Sequence, residues 1–276
     1  MALTAFQREL LAILAKGRNP NSHFAGGATL NRKNPRLSND LDIFADNAAI
    51  LVQSVSDDLA SLAAAGYRVD PPFTPNERTQ HFRCAVSKDA DATAVEWACD
   101  TVQRFFPAIK DPEFGWRLSR PDLAVNKILA LAGRREPRDY VDLVALHQDG
   151  LTIATLANAA PGKDAGFTPE LVLDEITRNA RFSTDDLKEV HSLTPIDAVA
   201  TKQVFLKGVA EARDIFSQLS LEAAGTLFIG ANGKVVATTI AADRSTKIIK
   251  RPTSAYGALP LLRAQQRPTG RDSPER

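Results

Sequence analysis

FAGGATLNRKNPRLSNDLDIF, residues 24–44, runs from an apolar approach through a Gly26-Gly27 step and three cations to two acids one residue apart. The segment NDLDIFAD around those acids reads as a strand, and side chains on a strand alternate with period two, so Asp40 and Asp42 share a face. SHFAGGATL, just upstream, reads as a short strand, a tight glycine turn and a helix start. Two carboxylates facing one way repel unless a cation stands between them, and hard oxygen ligands of this kind suit Mg²⁺, which takes one or two carboxylates plus substrate phosphates. Gly26 and Gly27 let backbone approach a phosphate, with helix-start N–H groups turned toward it. Ser38, two residues before Asp40, is spaced to donate to the same phosphate oxygens. A glycine seat, a hydroxyl donor and two metal-binding acids are what phosphoryl or nucleotidyl transfer requires.

Outward from that stretch, apolar spacing predicts a helix over 4–16 and another over 48–65 that Gly66 stops. RTQHFRCAVS and ATAVEWAC predict two antiparallel strands joined by the polar turn KDAD. PDLAVNKILALAGR and EPRDYVDLVALHQDG each open with proline in the first turn and continue with helical spacing. Residues 168–220 are helical, with DAVATKQVFLKGVAEARDIFSQL the clearest element, and Asn232-Gly233 marks a hairpin over 226–239. The tail from 251 is rich in Pro, Arg and Ser and is expected to be disordered. The expected class is α+β: residues 1–116 form a small mixed sheet backed by helices, and 117–250 a mainly helical region with the hairpin.

Composition narrows the function. In 276 residues, 34 basic side chains nearly cancel 33 acidic ones, so any nucleic-acid footprint must be local. Two cysteines, Cys84 and Cys99, read as buried free thiols of a reducing compartment. The N-terminal stretch reads as an amphipathic helix and not a signal peptide, and no run approaches the roughly eighteen apolar residues of a membrane span, so a cytoplasmic location is expected. The histidines show no metal-ligand spacing.

The pattern GGATLNR…RLSNDLDIF resembles the signature of the DNA polymerase β-like nucleotidyltransferase superfamily. It is most similar to the AbiEii-type nucleotidyltransferases, toxin components of type IV toxin–antitoxin and abortive-infection systems. The resemblance covers roughly residues 20–150. It implies that Gly26, Gly27 and Ser38 bind a nucleoside triphosphate and that Asp40 and Asp42 hold Mg²⁺. It also implies a helical lysine followed by an aspartate, which DLAVNKILALAGRREPRDYVDL supplies as Lys127 with Asp142, or alternatively Asp139. Arg36 stands where the family keeps a basic residue and is expected at the phosphates. The superfamily often adds a third carboxylate on a neighbouring strand, and Glu96 or Asp100 fits that place. A structural pairing of Asp139 with Arg135 or Arg138 is the competing explanation of that acid.

Between Arg117 and Arg138, six cations against Asp122 and Glu136 leave a local excess of positive charge expected to flank the site. The function implied is Mg²⁺-dependent transfer of a nucleoside monophosphate to an acceptor hydroxyl. The acceptor is RNA such as the tRNA 3′ end, or a protein, and a regulator-type antitoxin is the expected genetic partner. Two alternatives stand beside it: a small-molecule nucleotidyltransferase of the antibiotic-modifying kind, and a non-catalytic nucleotide-binding protein.

Overall fold

The computed structural model of the chain describes residues 3–32 and 34–259. Thr4 opens the first helix: its hydroxyl accepts the Gln7 N–H, and the Gln7 side chain accepts the Thr4 N–H in return. This reciprocal cap satisfies two donors that a helix start leaves free. Helix α1 (Ala5–Leu14) is followed by β1 (Ser22–Phe24), the short α2 (Gly26–Leu30), β2 (Asp40–Ala45) and α3 (Ala48–Ala64). Gly66 takes a left-handed φ of 79° just past α3, as a helix stop requires. Strands β3 (Arg68–Asp70), β4 (His81–Lys88), β5 (Asp91–Cys99), β6 (Gln103–Arg104), β7 (Ile109–Asp111) and β8 (Gly115–Arg117) come next.

Seven of these strands make one mixed sheet in the order β3-β4-β5-β2-β1-β8-β7. β2 pairs in parallel with β5 and antiparallel with β1. Period-two alternation divides the two faces. Leu41, Ile43, Val95, Trp97, Cys84 and Val86 go into a core closed by Leu10, Leu11 and Leu14 of α1 and Leu51, Val55 and Leu62 of α3. Asp40, Asp42, Phe44 and Glu96 therefore stand on the opposite face. Both cysteines are free thiols. Under the sheet lies an ion pair that helical periodicity does not reveal. Arg18 reaches both Asp58 oxygens at 2.6 Å, and the Trp97 indole N–H donates to Asp58 at 2.8 Å.

The second half of the chain is helical: α4 (Arg120–Gly133), α5 (Pro137–Gln148), α6 (Ile153–Ala159), α7 (Pro169–Asn179), α8 (Thr184–Lys188) and α9 (Ala198–Phe216). β9 (Thr226–Ile229), α10 (Ile240–Asp243), β10 (Ile249–Pro252) and β11 (Ser254–Ala255) complete the described chain. Ser119 caps α4, accepting the Asp122 N–H, and Pro137 occupies the first turn of α5. A second core gathers Ile128, Leu131, Leu143, Leu156, Val172 and Phe205. The aromatic segment between the halves serves both cores: Phe105 joins the helical one, while Phe114 packs edge-on against Phe24 in the other.

Two expectations need correction. The hairpin over 226–239 is shorter than expected: Gly230 N–H donates to Lys234 O, Val236 N–H donates to Phe228 O, and Ile229 bridges to Val235. β9 takes its longer ladder from β10, over four registered pairs. The reason is that the return limb leaves the ladder at Thr238, whose N–H donates to Thr155 Oγ1 on α6. Disorder from 251 is also overturned as far as 259. Arg251 is buried and donates to the carbonyl oxygens of Phe105, Gly257 and Leu259, and β11 pairs with β6. Composition could not show that one arginine of an Arg-rich tail is an internal tie. Residues 260–276 lie outside the described part.

Candidate active site

The register of the sheet builds a row of charged side chains. Asp42 on β2 stands opposite Glu96 on β5, and Glu96 stands opposite Arg83 on β4. Arg83 Nη1 and His81 both reach the Glu96 carboxylate. Gly26 closes the row at the other end. Its φ is +64°, and a Cβ placed there would overlap the Asp42 carboxylate. Glycine is required twice over, for the left-handed backbone and for the approach of the acid. Burial, then Asp40, then Glu96 push the Asp42 carboxyl up to about 7, against the pull of Lys127 and Arg138. Among the described residues, no cation forms an ion pair with Asp42.

Behind Gly27 the helices α4 and α5 supply cations, each gripped by an acid. Lys127 Nζ lies 2.7 Å from Asp139 and 3.1 Å from Asp142. Burial works to lower its pKa, but the Asp142 and Asp139 carboxylates outweigh it and hold the ammonium above its ordinary value. Asp142 also receives the Arg36 guanidinium on both oxygens and a 2.9 Å hydrogen bond from Asn31. Asp139 takes Arg134 at 2.8 Å on its second oxygen, so its partners are Lys127 and Arg134, not Arg135 or Arg138. A cavity of about 440 Å³ opens between these elements. Its walls include Gly26, Gly27, Arg36, Asp40, Asp42 and Lys127, while Asp139 and Asp142 sit behind them.

The loop that carries Arg36 is clamped from far away in sequence. Leu37 N–H donates to His191 O, and Leu193 N–H donates to Pro35 O, both at 2.9 Å. Residues 191–193 belong to a stretch without any legible motif. Ser38 is buried; its hydroxyl donates to the Asp40 carbonyl oxygen at 2.9 Å and lies 3.4 Å from Asp40 Oδ1, so it braces the start of β2 at the edge of the cavity.

Other expected members lie elsewhere. Asp100 follows the end of β5 at Cys99, and its N–H pairs with Ala45 O. Burial raises its pKa, opposed by Lys163 and a hydrogen bond from Asn126, so it faces the α4 side and not the acidic pair. Glu96, by contrast, is the registered neighbour of Asp42. The basic run divides: Arg134 and Arg138 join Lys127 on the cavity wall, while Arg117 and Arg120 line a separate cavity behind α2 together with Glu113 and Asp149. Arg120 pairs with Asp149, and Arg135 with Asp186.

Two contacts carry no prior signal. Asn31 reaches Asp142 from the end of α2, and Arg138, in the first turn of α5, places Nη1 3.0 Å from Asp40 Oδ2. RRxPRD reads only as a charged helix start, and which acid Arg138 meets is fixed by the crossing of α5 over the sheet.

The profile of the family described as "Nucleotidyl transferase AbiEii toxin, Type IV TA system" matches residues 10–192, well over half of the chain. The chain belongs to the AbiEii nucleotidyltransferase toxin family. It is accordingly a transferase, and its mixed sheet backed by helices is the fold expected of that family. Among solved structures, it is similar to MenT4, a nucleotidyltransferase toxin from Mycobacterium tuberculosis H37Rv. The identity is 15%, covering 79% of this chain and 84% of that one at a TM-score of 0.51, a likeness of fold. JHP933 from Helicobacter pylori is 14% identical, covering 77% of this chain and 90% of that one at a TM-score of 0.46. No curated protein sequence matches. No described helix of this AbiEii protein is long and apolar enough to cross a membrane.

Proposed function

We propose that this AbiEii protein transfers a nucleoside monophosphate from a nucleoside triphosphate to an acceptor hydroxyl in the cavity bounded by Gly26, Gly27, Asp40, Asp42 and Lys127. The observation that carries this is Asp42: a half-buried carboxylate beside Asp40 and Glu96, packed against a glycine, with no ion-pair partner among the described residues. An uncompensated acid in that setting is costly unless a ligand cation neutralises it. Among the described residues, no three His, Cys, Asp or Glu side chains converge into a metal cage. Two carboxylates are what the protein offers, and Mg²⁺, which draws its other ligands from substrate phosphates and water, suits such a pair. When bound, Mg²⁺ would neutralise charge developing on the transferred phosphoryl group.

The chain's own residues supply the rest. Gly26 and Gly27 leave room for phosphate against backbone, and Lys127 and Arg36 present positive charge on the same wall. Asp139 and Asp142 fix those cations in place by accepting from them, which makes them positioning residues and not metal ligands. Glu96, next to Asp42 in register, is the carboxylate placed to accept the proton of the incoming hydroxyl, and Arg83 orients it. The acceptor would then approach over β4 and β5, where Arg83 is exposed. Arg134 is exposed on the cavity wall, so cations stand on both sides of the acids, and we favour RNA, such as the 3′ end of tRNA, as acceptor. A toxin of this kind acts in the cytoplasm beside an antitoxin encoded nearby.

The test is incubation with each labelled nucleoside triphosphate, Mg²⁺ and total RNA. Label moves to RNA with the parent protein and not with Asp42→Ala, whose circular dichroism is unchanged. Transfer by Asp42→Ala at the parent rate rejects the assignment. Label on a small molecule with none on RNA rejects the RNA acceptor.

A further inference from the structure

Four cations line the cavity: Arg36, Lys127, Arg134 and Arg138. The first three are tied to Asp139 or Asp142, acids that sit behind the wall and leave the cavity face free. Arg138 differs. Its guanidinium rests 3.0 Å from Asp40 Oδ2, on an acid that itself lines the cavity, and its Nε lies 3.0 Å from Glu136 Oε2. The Asp40 side chain is 7% exposed and that of Arg138 24%, so the pair sits at the inner edge of the cavity, while Glu136 at 39% lies toward solvent.

A guanidinium on Asp40 and a divalent cation shared by Asp40 and Asp42 compete for one carboxylate. Both satisfy the acid, and two net cations against one oxygen pair repel. We propose that Arg138 is the exchangeable counter-ion of Asp40: it holds the acid while the site is empty, yields to the divalent cation, and then faces the incoming triphosphate from the same wall. This rests on the metal assignment made above. Glu136 gives the released guanidinium a second partner, so the exchange needs a side-chain rotation and no movement of α5. Binding of metal and of triphosphate becomes mutually reinforcing, because the metal frees the cation that the phosphates use and the phosphates stabilise it in its released position.

The coupling is measurable without turnover. Mn²⁺ is titrated into the full chain, with free ion followed by electron paramagnetic resonance, in the absence and presence of a non-hydrolysable nucleoside triphosphate analogue. The parent binds Mn²⁺ weakly alone and more tightly with the analogue. Arg138→Gln binds Mn²⁺ alone about 3–10-fold more tightly, the scale of losing one partly exposed competing ion pair. It also binds the analogue more weakly, so the cooperativity shrinks. Glu136→Gln, a solvent-side change, moves nucleotide-free Mn²⁺ binding the other way by about twofold, because the guanidinium loses its alternative partner.

Mn²⁺ binding by Arg138→Gln that is unchanged or weaker than the parent overturns the proposal, and so does unchanged or tighter binding by Glu136→Gln. Asp40→Asn separates this from the reading beneath it. If Asp40→Asn abolishes Mn²⁺ binding while Arg138→Gln leaves it unaltered, the exchange fails and the metal site stands. If Asp40→Asn binds Mn²⁺ like the parent, the metal site itself fails.

Discussion

At the scale of single residues, Asp42 is the most exacting position in the chain. Its carboxyl is held up at about 7, whereas an ordinary aspartate titrates near ~3.9. The folded protein without divalent cation therefore binds this proton more tightly than the unfolded chain does. The sign follows: stability falls as pH rises from about 4 to about 7 and is level above. Asp42→Asn removes that loss. In chelator it is more stable than the parent at pH 8 by on the order of 1–2 kcal/mol, allowing for solvent screening of a half-buried group, and the two converge near pH 4. Thermal unfolding across that range checks it, and a difference independent of pH contradicts it. The acid pair and the glycines were legible because their spacing is local: a strand has period two, and Gly26 is needed for its own φ. Asp142 was legible as a member of the site but not in its role, because what a helical acid accepts from is decided by Arg36, more than a hundred residues away in sequence.

At the scale of elements, α4 and α5 act as a bracket. Lys127 faces the cavity only because Asp139 and Asp142 hold it on one side, and Arg36 is held by the same Asp142. Asp142→Asn leaves Arg36 and Lys127 buried with one anion fewer. The expected result is a stability loss of about 3–5 kcal/mol, the scale for breaking a buried ion pair from one side. In the fraction that folds, triphosphate affinity drops about tenfold or more, read by equilibrium binding at low temperature. Undiminished affinity would show that the bracket does not position those cations. Periodicity was a sound guide to these helices, whose apolar stripes and caps are local. It overstated the length of the hairpin at Asn232-Gly233, because a turn signal names a bend but not how far the limbs stay paired. β9 pairs with β10 over four residues and with the limb next to it over a shorter stretch.

At the scale of the whole molecule, buried polar groups lie outside the two apolar cores. Arg251 caps the carbonyls of Phe105, Gly257 and Leu259, joining the last described strands to the segment between the halves. Arg251→Ala strands those acceptors, at about 2–4 kcal/mol. Hydrogen exchange at 254–257 should quicken before that of β2 and β5, and uniform protection would refute the tie. His23 is another buried polar group, but one that ties nothing distant: it is fully buried, with Nδ1 3.2 Å from Pro20 O and Nε2 without a partner among the described residues. Burial first, then Arg104, drops its pKa to about 3 from an ordinary 6.5. The unfolded chain takes the proton first as pH falls. Stability is therefore unaffected above 6.5 and declines below it by about 1.4 kcal/mol per pH unit until about 3. His23→Leu should flatten that acid limb, as unfolding free energies at pH 4, 5 and 6 would report.

The clamp between residues 35–37 and 191–193 has a consequence during synthesis. The loop bearing Arg36 cannot settle until the segment that grips it has left the ribosome, long after the strand with both acids has emerged. The cavity wall that Arg36 supplies is thus completed only after the acids it stands beside have been made.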